Sequence, residues 1–164
     1  MQAHLPTKSS SRARLAARAC AGLLLIFVGA DHYYEYSVDG DSVLPTVGTL
    51  FLLNFISASL LGVLLLAPVK RVFHRLGTRV LELSTVGGFG IAVTSLAALL
   101  ISERIRLFGW MELNYRPAIV VALVSEAAAT LSLGLLLLLL RRGRRERSIS
   151  SELIEYAQAR PRAT

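Results

Sequence analysis

The sequence predicts an all-α integral membrane protein, a four-helix antiparallel bundle with both termini in the cytoplasm. Three observations predict it. Of 164 residues, 54% are hydrophobic, above the roughly 45–50% of an average soluble domain. The apolar residues gather in four runs of about 20, and at ~1.5 Å rise each run covers the ~30 Å hydrocarbon core of a bilayer. The cationic residues alternate in density from one connecting segment to the next, as they do when alternate loops lie on opposite sides of a membrane. Four spans with their loops and tails occupy the chain and leave no room for a separate soluble domain.

Residues 1–14 (MQAHLPTKSSSRAR) are polar, basic and Ser-rich, and read as a disordered tail. Residues 15–140 form the membrane domain. Span one covers about 15–34: Arg18 can snorkel to the inner interface, and Tyr33, Tyr34 and Tyr36 supply an outer aromatic anchor. A signal peptide cleaved after Val28-Gly29-Ala30 competes with this reading, but three later spans favour a retained helix. Pro45 suits a first helical turn, so span two covers about 46–67 and Pro68 closes it. In the second loop Arg71, Arg75 and Arg79 recur every four residues, which fits either a short interfacial helix or extensions of the flanking spans. Span three covers about 83–102. Trp110 and Tyr115 in the third loop suit an interface. Span four covers about 117–140, and residues 141–164 form a basic tail in which SELIEYAQA has only weak helical tendency.

Orientation follows from Lys and Arg. The amino tail with Arg18 has four, the second loop four and the carboxyl tail seven, against none in the first loop and three in the third. A bias of 15 to 3 places both tails and the second loop inside. The net charge of +7 points to anionic lipids at the cytoplasmic Arg clusters before nucleic acid. The single cysteine, Cys20, excludes an intrachain disulfide and a CxxC redox pair.

Span four carries one carboxylate, Glu126. A charge at bilayer depth costs several kcal/mol, so Glu126 must be neutral, paired or turned to the interior. Counting helix rise from Pro117 puts it ~13 Å below the outer boundary. Asn54 lies ~13 Å beyond Pro45, and Thr94 and Ser95 ~11–12 Å from Ser102. The expectation is an intramembrane polar layer of Glu126, Asn54, Ser95 and Thr94, with Glu126 bonded to Asn54 or to a span-three hydroxyl. Interhelical glue is the favoured role and a proton or small-molecule site the alternative.

His32 and Glu35 stand three apart near Asp31, Asp39 and Asp41. That pattern fits an outer-face cation site less well than an interfacial cap on span one. No metal-ligand spacing or cofactor motif is present; Gly87-Gly88-Phe89-Gly90 lacks the context of a phosphate loop. Gly88 with Ala92, and Ser125 with Ala129, are small-residue pairs suited to close helix packing, including a homodimer or an unknown membrane partner.

Two blocks, PTVGTLFLLNFISASLLGVLLLAP (Pro45 to Pro68) and RPAIVVALVSEAAATLSLGLLL (Arg116 to Leu137), resemble small four-span membrane proteins of actinobacteria whose function is not established. The resemblance implies that His32, Asn54 and Glu126 are recurring polar positions. The four-span shape is also similar, more weakly, to DoxX-like proteins, which would imply a membrane redox subunit. Paired catalytic groups are lacking, so the expectation is a non-enzymatic protein of the cell membrane.

Overall fold

The computed structural model describes residues 8–112 and 116–159. It is helical: α1 (Lys8–Ser37), α2 (Pro45–Leu66), a single turn α3 (Val69–Val72), α4 (Gly77–Ser102) and α5 (Pro117–Ala159). Among the described residues there is no strand, only an isolated bridge between Leu107 and Trp110. Four helical segments are long and apolar enough to cross a bilayer: Arg12–Ser37, Pro45–Leu66, His74–Ser102 and Pro117–Glu152. Leu23, Phe27, Leu53, Ile56, Leu83, Val86, Val124 and Leu131 are exposed on them. Soluble monomers rarely expose contiguous apolar patches beyond a few hundred Å², so exposed apolar residues along all four helices fit a lipid-facing surface.

The helix ends follow local chemistry. Pro45 opens α2 at the position where its missing N–H costs nothing. Ala67 ends it in extended geometry (φ −65°, ψ 150°), as the ring of Pro68 requires of the preceding residue. The chain then breaks at His74, whose φ of 40° is left-handed, so Arg71, Arg75 and Arg79 do not share one helical face. Gly77 opens α4 because a Cβ there would stand 2.6 Å from the Cα of Lys70. The second loop is thus a broken turn followed by an extension of α4.

Two helices run beyond the expected spans. α1 already begins at Lys8, within the segment expected to be disordered; its remainder, residues 1–7, lies outside the described residues. Ala16, Ala17, Ala19, Ala21 and the intervening Arg18 are strong helix formers, and no glycine or proline interrupts them before Gly22. α5 continues past Leu140 to Ala159 without a break. Ion pairs from Arg144 to Glu82 and from Arg14 to Glu146 hold this extension. Tyr115 and residues 160–164 lie outside the described residues.

Each long helix packs against two neighbours, in the cyclic order α1, α2, α4, α5. α1 and α2 approach most closely. A Cβ on Gly29 would lie 2.5 Å from Ser59 Oγ, and one on Gly62 would lie 2.8 Å from the carbonyl oxygen of Gly22. Small residues let backbones meet where lipid offers no hydrophobic drive to association. The core comprises Ala17, Ala21, Leu25 and Val28 of α1, Ala58 and Leu65 of α2, Leu81 and Ala92 of α4, and Ala129, Leu133 and Leu136 of α5. At one end the stripe on α1 continues in register, from Leu25 and Val28 to His32 and Glu35, and becomes polar while remaining buried.

Candidate functional site: a four-helix polar layer

Beyond the apolar core each long helix contributes one polar side chain to a common point. Glu126 of α5 is 1% exposed and His32 of α1 is 5% exposed. Ser95 Oγ of α4 donates to Glu126 Oε1 at 2.6 Å. His32 Nε2 lies 3.0 Å from Ser95 Oγ and 3.3 Å from Glu126 Oε1. Asn54 Nδ2 of α2 lies 3.4 Å from Ser95 Oγ, at the long limit for a hydrogen bond, and 3.4 Å from His32 Nε2.

The chemistry of the ring assigns its proton. His32 Nδ1 is buried and makes no hydrogen bond. A proton there would leave a buried donor unsatisfied, which costs about 1–3 kcal/mol. The neutral ring therefore carries its hydrogen on Nε2, which donates toward Ser95 Oγ and Glu126 Oε1 together. Ser95 passes its own hydrogen to Glu126 and accepts from Asn54. The layer thus sets a buried histidine and a buried carboxyl group within hydrogen-bond reach of one serine hydroxyl. Glu126 Oε2 and Thr130 Oγ1, one helical turn apart on α5, are also buried without hydrogen bonds.

The arrangement is not a hydrolytic triad. There, the acid orients the histidine through one ring nitrogen while the serine meets the other. Here Ser95 and Glu126 meet the same nitrogen, so no group orients the ring to withdraw a proton from Ser95.

An aromatic stack covers the layer. His32 stacks on Phe51 at 5.6 Å between centroids, and Trp110 meets Phe51 edge-on at 6.2 Å. A two-residue turn presents Trp110: Leu107 and Trp110 exchange backbone hydrogen bonds, with φ of 53° at Phe108 and 85° at Gly109. Both central residues of such a turn require positive φ, which Gly109 adopts freely and Phe108 adopts at a cost of about 1 kcal/mol or more.

One turn beyond His32, Glu35 is 3% exposed and meets Arg116 at 3.4 Å. The same guanidinium pairs with Asp39 at 2.6 Å and Glu112 at 3.3 Å. Burial would lower the pKa of Arg116, but its hydrogen bond to Glu112 and the charges of Glu112, Glu35 and Asp39 outweigh burial and raise it. Asp41, on the turn before α2, has its carboxyl pushed above the ordinary range by burial, with Arg116 opposing and Asp39 and Glu112 reinforcing the rise. Asp31, partly buried, adds a further carboxylate within electrostatic reach of His32 and Glu126.

Of the residues that depth counting grouped, Glu126, Ser95 and Asn54 meet, with Ser95 between the other two. Thr94 does not join them: it is exposed and donates to its own helix at Gly90 O and Ile91 O. His32 and Glu35 share a face of α1 but take different partners, and among the described residues no group of three His, Cys, Asp or Glu is placed to hold a metal. The sequence reading placed His32 at the outer edge and left Arg116 without a role. The signal for His32 was available in the spacing Leu25, Val28, His32, Glu35, which continues the buried stripe. No family model, curated protein or solved structure matches this chain.

Proposed function

We propose that this chain is a multi-pass protein of the cell membrane, an antiparallel four-helix bundle with both termini in the cytoplasm, whose buried polar layer binds a proton exchanged with the outer face. The observation that carries the reading is the contact at 3.3 Å between the buried side chains of His32 and Glu126 in a four-helix polar layer. Helix packing alone requires hydrogen bonds, but it does not require a buried histidine and a buried carboxyl group in contact. Titratable groups also continue outward from the layer: Asp31, Glu35 and then the Arg116 cluster, the sort of chain that proton pathways use. The bundle reading is supported by the register of α1 on α2, in which Gly22 faces Leu66 while Gly29 faces Phe55. The topology reading is supported by the 15 to 3 distribution of Lys and Arg. The resemblance to small four-span actinobacterial proteins is in keeping with this shape and supplies no reaction.

The test is infrared difference spectroscopy of the reconstituted protein during pH steps. A protonated-carboxyl band that titrates in the wild type and disappears in Glu126→Gln is expected. A wild-type spectrum that Glu126→Gln leaves unchanged at every pH would sink the proposal. Full packing around Glu126, 1% exposed, favours a second reading in which the layer only locks the helices together. That reading predicts the unchanged spectrum together with lowered stability of the variant.

A further inference from the structure

At the end of the molecule away from His32, α4 and α5 border a cleft of about 470 Å³. Its floor is apolar, formed by Val86, Leu137 and Leu140, and its rim carries Arg141, Arg144 and Arg145. Arg144 is committed to Glu82 across the cleft. Arg141 and Arg145 make no hydrogen bond or ion pair among the described residues, although both line the same cleft and stand one helical turn apart. The cleft sits where the apolar sequence of α5 ends at Leu140 and the basic sequence begins. Leu137 and Val86 therefore face hydrocarbon depth while the guanidinium groups reach headgroup depth.

We infer that this cleft is a binding site for one anionic phospholipid of the cytoplasmic leaflet. Arg141 and Arg145 hold the phosphate, and an acyl chain lies along Val86, Leu137 and Leu140. The charge complementarity is local: two guanidinium groups without a partner among the described residues face a site whose only carboxylate among those residues, Glu82, is already neutralised by Arg144. A planar guanidinium matches phosphate oxygens in a two-pronged geometry. The apolar floor distinguishes the cleft from a bare polybasic tail, which would attract any anionic surface without holding a chain. The inference rests on the inside orientation of the carboxyl terminus and is independent of any proton chemistry at Glu126.

The experiment uses the full chain in nanodiscs of phosphatidylcholine containing phosphatidylglycerol, with bound lipid counted by native mass spectrometry. One retained phosphatidylglycerol per chain is expected. Arg141→Gln with Arg145→Gln weakens retention about 25-fold, at roughly fivefold per arginine. Arg71→Gln with Arg75→Gln, an equal change in charge elsewhere on the same side, leaves retention within about twofold. Val86→Trp, at a position 55% exposed to the surroundings of the helix and so free of packing strain, fills the cleft and abolishes retention with every charge intact. Excess inorganic phosphate does not displace the lipid. Equal losses in the two charge variants, no effect of Val86→Trp, or displacement by free phosphate would each overturn the site. Equal retention of phosphatidylcholine would do the same.

Discussion

His32 Nε2 and Glu126 Oε1 stand 3.3 Å apart, one on the first long helix and one on the last, and Ser95 of α4 touches both. This triangle ties together helices that are remote in sequence. The pair should therefore respond to mutation as a unit.

Glu126→Gln preserves shape and hydrogen-bonding capacity, so it should lower stability by less than about 1 kcal/mol. Glu126→Ala leaves the Ser95 hydroxyl without its acceptor and His32 Nε2 with Ser95 Oγ alone, and should cost about 1–3 kcal/mol. Thermal unfolding in a fixed detergent measures both. A double-mutant cycle of His32→Gln and Glu126→Gln should show a coupling of about 0.5–2 kcal/mol, and additive effects would contradict direct contact.

Ser95→Ala and Thr94→Ala separate neighbours that look alike in sequence. Ser95→Ala removes the hydroxyl that bridges Glu126 to Asn54 and should cost about 0.6–1.7 kcal/mol, the range of interhelical hydrogen bonds in a membrane. Thr94 is exposed and bonds only its own backbone, so Thr94→Ala should change stability by no more than about 0.5 kcal/mol. The same unfolding assay decides between the two.

Gly62→Ala and Gly90→Ala test the α1–α2 contact. A Cβ on Gly62 would stand 2.7 Å from Ile26 Cγ1 and 2.8 Å from Gly22 O, and backbone cannot move aside as a flexible side chain can. The expected cost is about 1–3 kcal/mol. A Cβ on Gly90 meets nothing within 4 Å, and alanine there should stabilise the helix by up to about 0.5–1 kcal/mol.

Asp41→Asn should change how stability depends on pH. Burial raises the carboxyl of Asp41, so between its ordinary range and its raised value the folded protein binds more protons than the unfolded one. Stability is then lost as pH rises through that window. The variant has no such titration. It should exceed the wild type in stability at neutral pH, with the difference shrinking as pH falls through that window and gone below the ordinary aspartate range. A variant less stable than wild type at neutral pH would show that the attraction between Asp41 and Arg116 outweighs the cost of burial.

A cytoplasmically active reporter fused after residue 164 should function in cells, and one that works only outside should not. The reverse result would invert the topology on which both the proposed outer proton site and the proposed inner lipid site depend.

The spans were legible because their signals are local. A run of about 20 apolar residues, a proline at a first turn and a loop rich in arginine each act through neighbouring residues or through the bilayer itself. Depth counting brought Glu126, Asn54 and Ser95 to one level for the same reason, since helix rise is constant. Rise alone does not assign a face, which is why Thr94 joined the group although its side chain turns outward. The true extents of α1 and α5 were less legible: helices leaving a membrane are prolonged by ion pairs such as Arg14–Glu146 and Arg144–Glu82, which join residues far apart in the chain.

By itself, then, the sequence determined an all-helical chain with four membrane-length segments, an uneven distribution of arginine and one deeply placed carboxylate. Only the tertiary structure decided that His32 is the partner of Glu126, that Arg116 gathers Glu35, Asp39 and Glu112, and that Arg141 and Arg145 border a cleft. The physical reason is that hydrogen bonds and ion pairs act over about 3 Å between side chains. Which side chains come that close depends on how four helices rotate and slide against one another. Here those variables follow from contacts such as Gly29 on Ser59 and Gly62 on Gly22, which no single segment contains.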